Sequence, residues 1–332
     1  MYDAQQSKIV QLLSVVLFLI TATVSAAAAE KDDNYKFSYY ANGRICVDSL
    51  GKLSGRNAVI VPQGKGQEDF KPSWSKTNDM LVFFRRVKND PVVSNWRTIL
   101  CVINADGTGF QMLTDDKNTN FNPTWTRDGN NSPIWNRKHP QKGHYYVMRS
   151  KVGNKPGQEV EISDKRFHTW AHSCLTDGRV LVECIHPEQG FGYYLMTPKA
   201  GGDSSYERID VGNLLKRGLM SRISISPDEK KICFGHIKGH EFKEPGHAMV
   251  IADFDVEKRQ VTNPKIIANK DYRPAWFAYP RWTKDGQAVI YHANTTGKGR
   301  LFLYTLKDGS TRKVSTNNEI DYRYPHGENA PK

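Results

Sequence analysis

One short unit recurs along this chain at a nearly constant interval, and it limits the possible folds more than any other feature. The clearest copies are Asn122-Pro123-Thr124-Trp125-Thr126-Arg127-Asp128-Gly129, Tyr279-Pro280-Arg281-Trp282-Thr283-Lys284-Asp285-Gly286 and Lys71-Pro72-Ser73-Trp74-Ser75-Lys76. Two further copies, Phe167 to Gly178 and Met220 to Glu229, keep the pattern in degenerate form. The marker position runs Pro72, Pro123, His172, Ile223, Pro280 and Pro325, at steps of 45 to 57 residues. Repeats of this length that are read one supersecondary unit at a time point to solenoids or propellers. Within each unit a first strand ends at an Asp-Gly type turn. A period-2 apolar strand follows, such as Ala288-Val289-Ile290-Tyr291. Third strands are expected over 97–103, 145–148, 192–196, 248–252 and 301–306, and a short fourth strand follows a turn such as Asp106-Gly107. Four strands per unit, repeated radially, make a propeller blade. A β-sandwich would leave the constant spacing without a cause.

The two ends of the chain complete the ring. Asp321-Tyr322-Arg323-Tyr324-Pro325 is a first strand with no second strand after it. The runs 35–40, 44–47 and 58–61 are second, third and fourth strands with no first. Joined, they form one composite blade, which closes the sheet edges. The expectation is an all-β, six-bladed β-propeller of four-stranded blades over residues 30–332. Seven blades, the alternative, would need a further unit.

Ile103-Asn104-Ala105-Asp106-Gly107-Thr108-Gly109-Phe110-Gln111-Met112-Leu113-Thr114, followed by the Asn122 to Gly129 unit, resembles the repeat of the TolB propeller family, also called WD40-like or PD40 repeats. The resemblance covers nearly all of the chain after residue 29 and implies the propeller, without the N-terminal α/β domain that precedes it in TolB. It implies an envelope location and, as one function, a non-enzymatic scaffold for an envelope protein partner. At the level of fold, the same architecture is similar to that of propeller polysaccharide lyases.

Residues 1–29 read as an export signal: Lys8, the apolar run Ile9 to Ile20, and small residues from Val24 to Ala29. That apolar run is short for a membrane span, so no span is expected after cleavage, and the location is secreted or periplasmic. The net charge of +12 favours polyanionic partners. For an exported protein that means acidic polysaccharide or oligosaccharide rather than nucleic acid. Cys46, Cys101, Cys174, Cys184 and Cys233 lie in apolar strand-like runs and read as buried small hydrophobes.

The candidate chemistry comes from aligning the units. The ends of the second strands carry Arg85 and Arg86, Arg137 with His139, His186, His236 and His292. The first strands add His168, His172 and Arg222. Arg forks suit carboxylate or sulfate, so Arg85, Arg86, Arg137, Arg222, His186, His236 and His292 are the candidate ligand-binding residues of a cationic channel mouth. Uronate lyase chemistry needs a base and an acid, for which His139, His168, His172 and Tyr193 are the candidates. His186, His236 and His292 are candidate ligands for a divalent metal, should their imidazoles converge. The sequence contains no phosphate-binding glycine loop and no hydrolase motif.

Overall fold

The structure, a computed structural model, describes residues 36–50, 53–55, 61, 63–64, 66–77, 79–87, 97–237, 247–268, 279–294 and 298–327. These residues form six antiparallel sheets set as a six-bladed β-propeller. In chain order, β1 (Lys36–Ala41) and β2 (Arg44–Ser49) begin the composite blade. The first complete blade is β3 (Glu68–Trp74), β4 (Met80–Arg86), β5 (Thr98–Asn104) and β6 (Gln111–Met112). The second is β7 (Asn120–Trp125), β8 (Pro133–Lys138), β9 (Tyr145–Arg149) and β10 (Val160–Glu161). The third is β11 (Thr169–Cys174), β12 (Val180–His186), β13 (Gly190–Thr197) and β14 (Ser205–Arg208). A single helical turn, α1 (Leu214–Arg217), leads into the fourth: β15 (Leu219–Ile225), β16 (Lys231–Ile237), β17 (His247–Asp255) and β18 (Gln260–Ala268). The fifth is β19 (Arg281–Trp282), β20 (Ala288–Asn294), β21 (Gly299–Thr305) and β22 (Thr311–Lys313). Finally β23 (Tyr322–Gly327) pairs with β1, so the composite blade has the order β2-β1-β23. Of its expected fourth strand, 58–60 lie outside the described residues, as does the proposed export signal.

The recurring residues have identifiable tasks. The indole N–H of Trp125 donates to the carbonyl of Ser73 in the preceding blade at 2.9 Å, and that of Trp282 donates to Ser224 at 3.0 Å. Trp74 donates to His326 at 3.1 Å, which ties the first complete blade to the composite one. The Trp of each intact unit therefore staples one blade to the previous one. The turn residues act locally. The Thr283 hydroxyl donates to Asp285, whose carboxylate accepts from the backbone N–H of Gln287, and Gly286 takes the left-handed φ of 69° that closes the turn. Ser226 and Asp228 repeat this arrangement.

Apolar residues on both faces of each blade meet those of its neighbours. Ile223, Ile232 and Phe234 pack on Leu181, Tyr193 and Leu195, and Phe37 and Tyr39 pack on Ile290 and Leu301. The five cysteines are all buried and free, as small core residues. Burial pushes the Cys46, Cys174 and Cys184 thiols up to about 12.

A register break interrupts the first strand in four complete blades, between Phe70 and Ser73, Phe121 and Thr124, Ala171 and Ser173, and Ser221 and Ser224. At the residue before the marker, Lys71, Asn122, Arg222, Tyr279 and Tyr324 all take left-handed φ values of 41° to 56°. Each such non-glycine residue costs on the order of 1 kcal/mol, and bulges of this kind re-aim side chains. Here they turn successive first-strand residues toward the axis.

Candidate functional site: a cationic central channel

First strands from all six blades line a central cavity of about 70 Å³. Its walls include Ser73, Thr124, His172, Ser224, Arg281 and His326. A narrower space of about 10 Å³ adjoins it, lined by Lys71, Asn122, Tyr279, Arg281, Tyr324 and His326. The wider cavity lies where the first strands end, beside Trp74, Trp125 and Trp282. The second-strand ends lie at the other end of the channel, since Arg86 pairs with Glu68, Arg137 with Asn120 and His236 with Met220 at the first-strand starts.

Lys71 and Arg281, from two blades, line the channel, and Arg222 from a third lies against the Tyr279 ring beside them. Lys71 Nζ lies 4.4 Å from the ring centre of Tyr279 and 5.5 Å from that of Tyr324, and donates to Asn122 Oδ1 at 3.4 Å. The Arg222 guanidinium sits between Trp170 and Tyr279, at 4.9 and 5.0 Å from the ring centres. Arg281 Nη1 donates to its neighbouring carbonyl, Pro280 O, at 2.9 Å. Burial, then the positive charges of Arg222 and Arg281, push the Lys71 amine well below its ordinary range. Burial is also the main cause that lowers Arg281, with Arg222 adding to it. Among the described residues lining both cavities there is no Asp or Glu.

His172 is 4 % exposed on the channel wall, and neither ring nitrogen has a hydrogen-bond partner among the described residues. Its Nε2 lies 3.8 Å from Glu183 Oε2, too long for a hydrogen bond. Glu183 Oε1 lies 3.6 Å from His168 Nε2. Burial lowers the His172 pKa against the pull of Glu183, and Arg222 and Arg281 lower it further. Burial works to raise the Glu183 carboxyl, but the two imidazoles outweigh it and hold it below the usual carboxylate range.

Of the residues singled out from sequence, His172 lines the channel, and Arg222 lies against Tyr279, which lines its narrow part. His168 stands behind them through Glu183, and His292, 3 % exposed, stacks on Tyr279 at 5.6 Å. The others are engaged elsewhere. Arg85 makes a buried fork to Asp69 at 2.7 and 3.1 Å, and Arg86 pairs with Glu68. Arg137 bonds Asn120 at 3.0 Å and Glu159 at 2.7 Å. The Tyr193 hydroxyl donates to Met220 O and accepts from Met220 N, bridging the third and fourth blades. His139 and His186 each accept two backbone N–H groups from their own loops, and His236 donates to Leu214 O. His186, His236 and His292 thus stay on separate blades, and no group of three His, Cys, Asp or Glu residues gathers among the described residues. Lys71, Arg281, Asn122 and His326 were not singled out. Their signal is the column of residues on either side of the marker: Lys71, Asn122, Ala171, Arg222, Tyr279 and Tyr324 before it, and Ser73, Thr124, Ser173, Ser224, Arg281 and His326 after it.

The fold is a six-bladed β-propeller, similar in architecture to that of TolB. TolB from Acinetobacter baumannii superposes with a TM-score of 0.62 at 14% identity, over 91% of this chain and 68% of that one. A putative TolB from Agrobacterium tumefaciens gives 0.52 at 14% identity, over 85% and 89%. An oligogalacturonate lyase in complex with manganese gives 0.53 at 12% identity, over 83% and 74%. No protein-family model and no functionally curated protein matches the sequence.

Proposed function

We propose that this chain is an exported propeller that binds a carboxylate-bearing saccharide, with the acidic group entering the central channel. The observation that carries this reading is the meeting of Lys71 and Arg281 in a channel lined by no carboxylate among the described residues, with Arg222 beside them against Tyr279. Like charges held together in a confined space repel, and a bound anion relieves that repulsion. The guanidinium forks supply paired donors to a planar oxyanion. The hydroxyls of Ser73, Thr124 and Ser224 add neutral donors on the same wall. The cavity is sized for the acidic group and not for a whole sugar ring, so the remainder of the saccharide would stay at the mouth. The overall charge of +12 would draw polyanions toward the molecule. In the catalytic version of this reading, β-elimination, His172 is the base best placed to take a proton, standing on the channel wall with neither ring nitrogen hydrogen-bonded among the described residues.

Titration calorimetry with galacturonate and oligogalacturonate at low salt tests the reading. Binding is expected, weakening with added salt, with no binding of glucose. Changing Arg281 to Ala is expected to weaken it by about 10-fold or more, the loss of one charge-assisted hydrogen bond. Appearance of ultraviolet-absorbing unsaturated product would extend binding to catalysis. No heat with either acid would overturn the proposal. Loss of binding in Arg86→Ala or His186→Ala, with Arg281→Ala unaffected, would move the site to the opposite face.

A further inference from the structure

Among the described residues that line the wide cavity, His172 is the side chain whose polar atoms are both buried and unbonded. A buried polar group left unpaired is costly, so a ring held this way on a cavity wall is placed for a partner that arrives with the ligand. Glu183 stands behind it. The two carboxylate oxygens lie 3.8 Å from His172 Nε2 and 3.6 Å from His168 Nε2, each about half an ångström beyond hydrogen-bond length. His168 Nδ1 accepts from the backbone N–H of Tyr145 at 3.4 Å, so its Nε2 carries the proton that faces Glu183. One carboxylate is thus held between two imidazoles across the β11–β12 pair.

The other groups that face His172 come from further strands. Tyr193 on β13 has its ring centre 6.3 Å away and its hydroxyl committed to Met220. Arg222 on β15 and Arg281 on β19 set positive charge against the ring. His326, Lys76 and Arg127 line the same cavity, the last two holding the carbonyls of Asp128 and Pro227. A proton on His172 is opposed by burial and by the two guanidiniums, and favoured by Glu183. A carboxylate that settles on Arg281 offsets the guanidinium part of that balance and adds its own attraction.

We infer that His172 holds the acidic group of the ligand as an imidazolium, taking up a proton from solvent as the group enters, with Glu183 as the positioning residue behind the ring. In this step an N–H bond forms on the imidazole and the buffer gives up the proton; nothing is oxidised or reduced. The bound state places the imidazolium between two carboxylates, that of Glu183 and that of the ligand. The inference rests on the anion-binding reading above in its non-catalytic form, because a ring protonated by binding cannot be the base of an elimination. By linkage the affinity falls as pH rises, by up to about tenfold per pH unit.

The test is calorimetric titration of the whole protein with galacturonate at pH 7, repeated in HEPES, MOPS and Tris at one ionic strength. The heat is expected to vary linearly with the ionisation enthalpy of the buffer, with a slope of about one-half to one proton taken up per sugar. The sugar's own carboxylate is ionised throughout and adds nothing to the slope. His172→Phe is expected to lose the uptake. Glu183→Gln, which keeps the ring and an oxygen acceptor, is expected to lower it. Unchanged uptake in His172→Phe would place the proton on another group, Lys71 being the alternative, and overturn the inference. Equal heat in all three buffers would also overturn it while leaving the anion site standing. No heat in any buffer would remove the anion-binding reading and this inference with it. The parent protein alone decides these last two outcomes, so neither depends on a variant folding.

Discussion

His292, a candidate ligand in the sequence, is packed among aromatic rings in the fold. Its ring is stacked on Tyr279 and edge-on to Tyr324, and burial, then the charges of Arg323 and Lys71, push its pKa from 6.5 down to about 3. The native state keeps this imidazole neutral while the unfolded chain can protonate it. Between pH 6.5 and about 3 the unfolded state therefore binds more protons. The contribution is complete above pH 6.5 and is lost as pH falls through that window, at on the order of 1 kcal/mol per pH unit. His292→Phe keeps a stacking ring and removes the titration. Its urea midpoint is expected to fall less steeply between pH 6.5 and 4.5 than that of the parent, and an equal slope would show that this ring is not held neutral. Arg85 and Arg137 make the same point about legibility. Their positions at strand ends are plain in the sequence, but the Asp69 and Glu159 carboxylates that engage them lie 16 and 22 residues away. Only the folded register brings those pairs together.

At the scale of the strand, the repeat was readable because its residues do chemistry on the backbone. The Trp of each intact unit donates to the preceding blade, and each Asp closes its own turn. Trp125→Phe keeps the packed ring and deletes the donor to Ser73 O, leaving a buried carbonyl without that bond. The expected loss is about 2 kcal/mol in a denaturant titration, and a variant as stable as the parent would rule out the staple. The third and fourth blades, which have Cys174 and Ile225 where the other complete blades have Trp, show why two copies look degenerate. In their place Ile225 N donates to Ser173 Oγ at 3.4 Å. The bulges were less legible. A non-glycine residue before proline reads as extended, yet Lys71, Asn122, Tyr279 and Tyr324 are left-handed there. That turn is what directs Lys71 into the channel.

Across the whole molecule, the six-blade count and the joining of both chain ends followed from the spacing of the markers. β23 pairs with β1, and Trp74 donates to His326 across the seam. The position of the channel cations did not follow. The second-strand ends are cationic in sequence. In the folded ring the charges nearest the axis belong to the first strands, because these alone face it. Closure therefore sets the function proposed here: it brings Lys71 and Arg281, more than 200 residues apart, into one channel, with Arg222 beside them against Tyr279. A crystal structure of the protein with galacturonate tests this most directly. The expected result is the sugar's carboxylate within hydrogen-bond distance of the Arg222 and Arg281 guanidiniums. A carboxylate bound at the opposite face, against Arg86 or His186, or absent from the channel at saturating sugar, would contradict it.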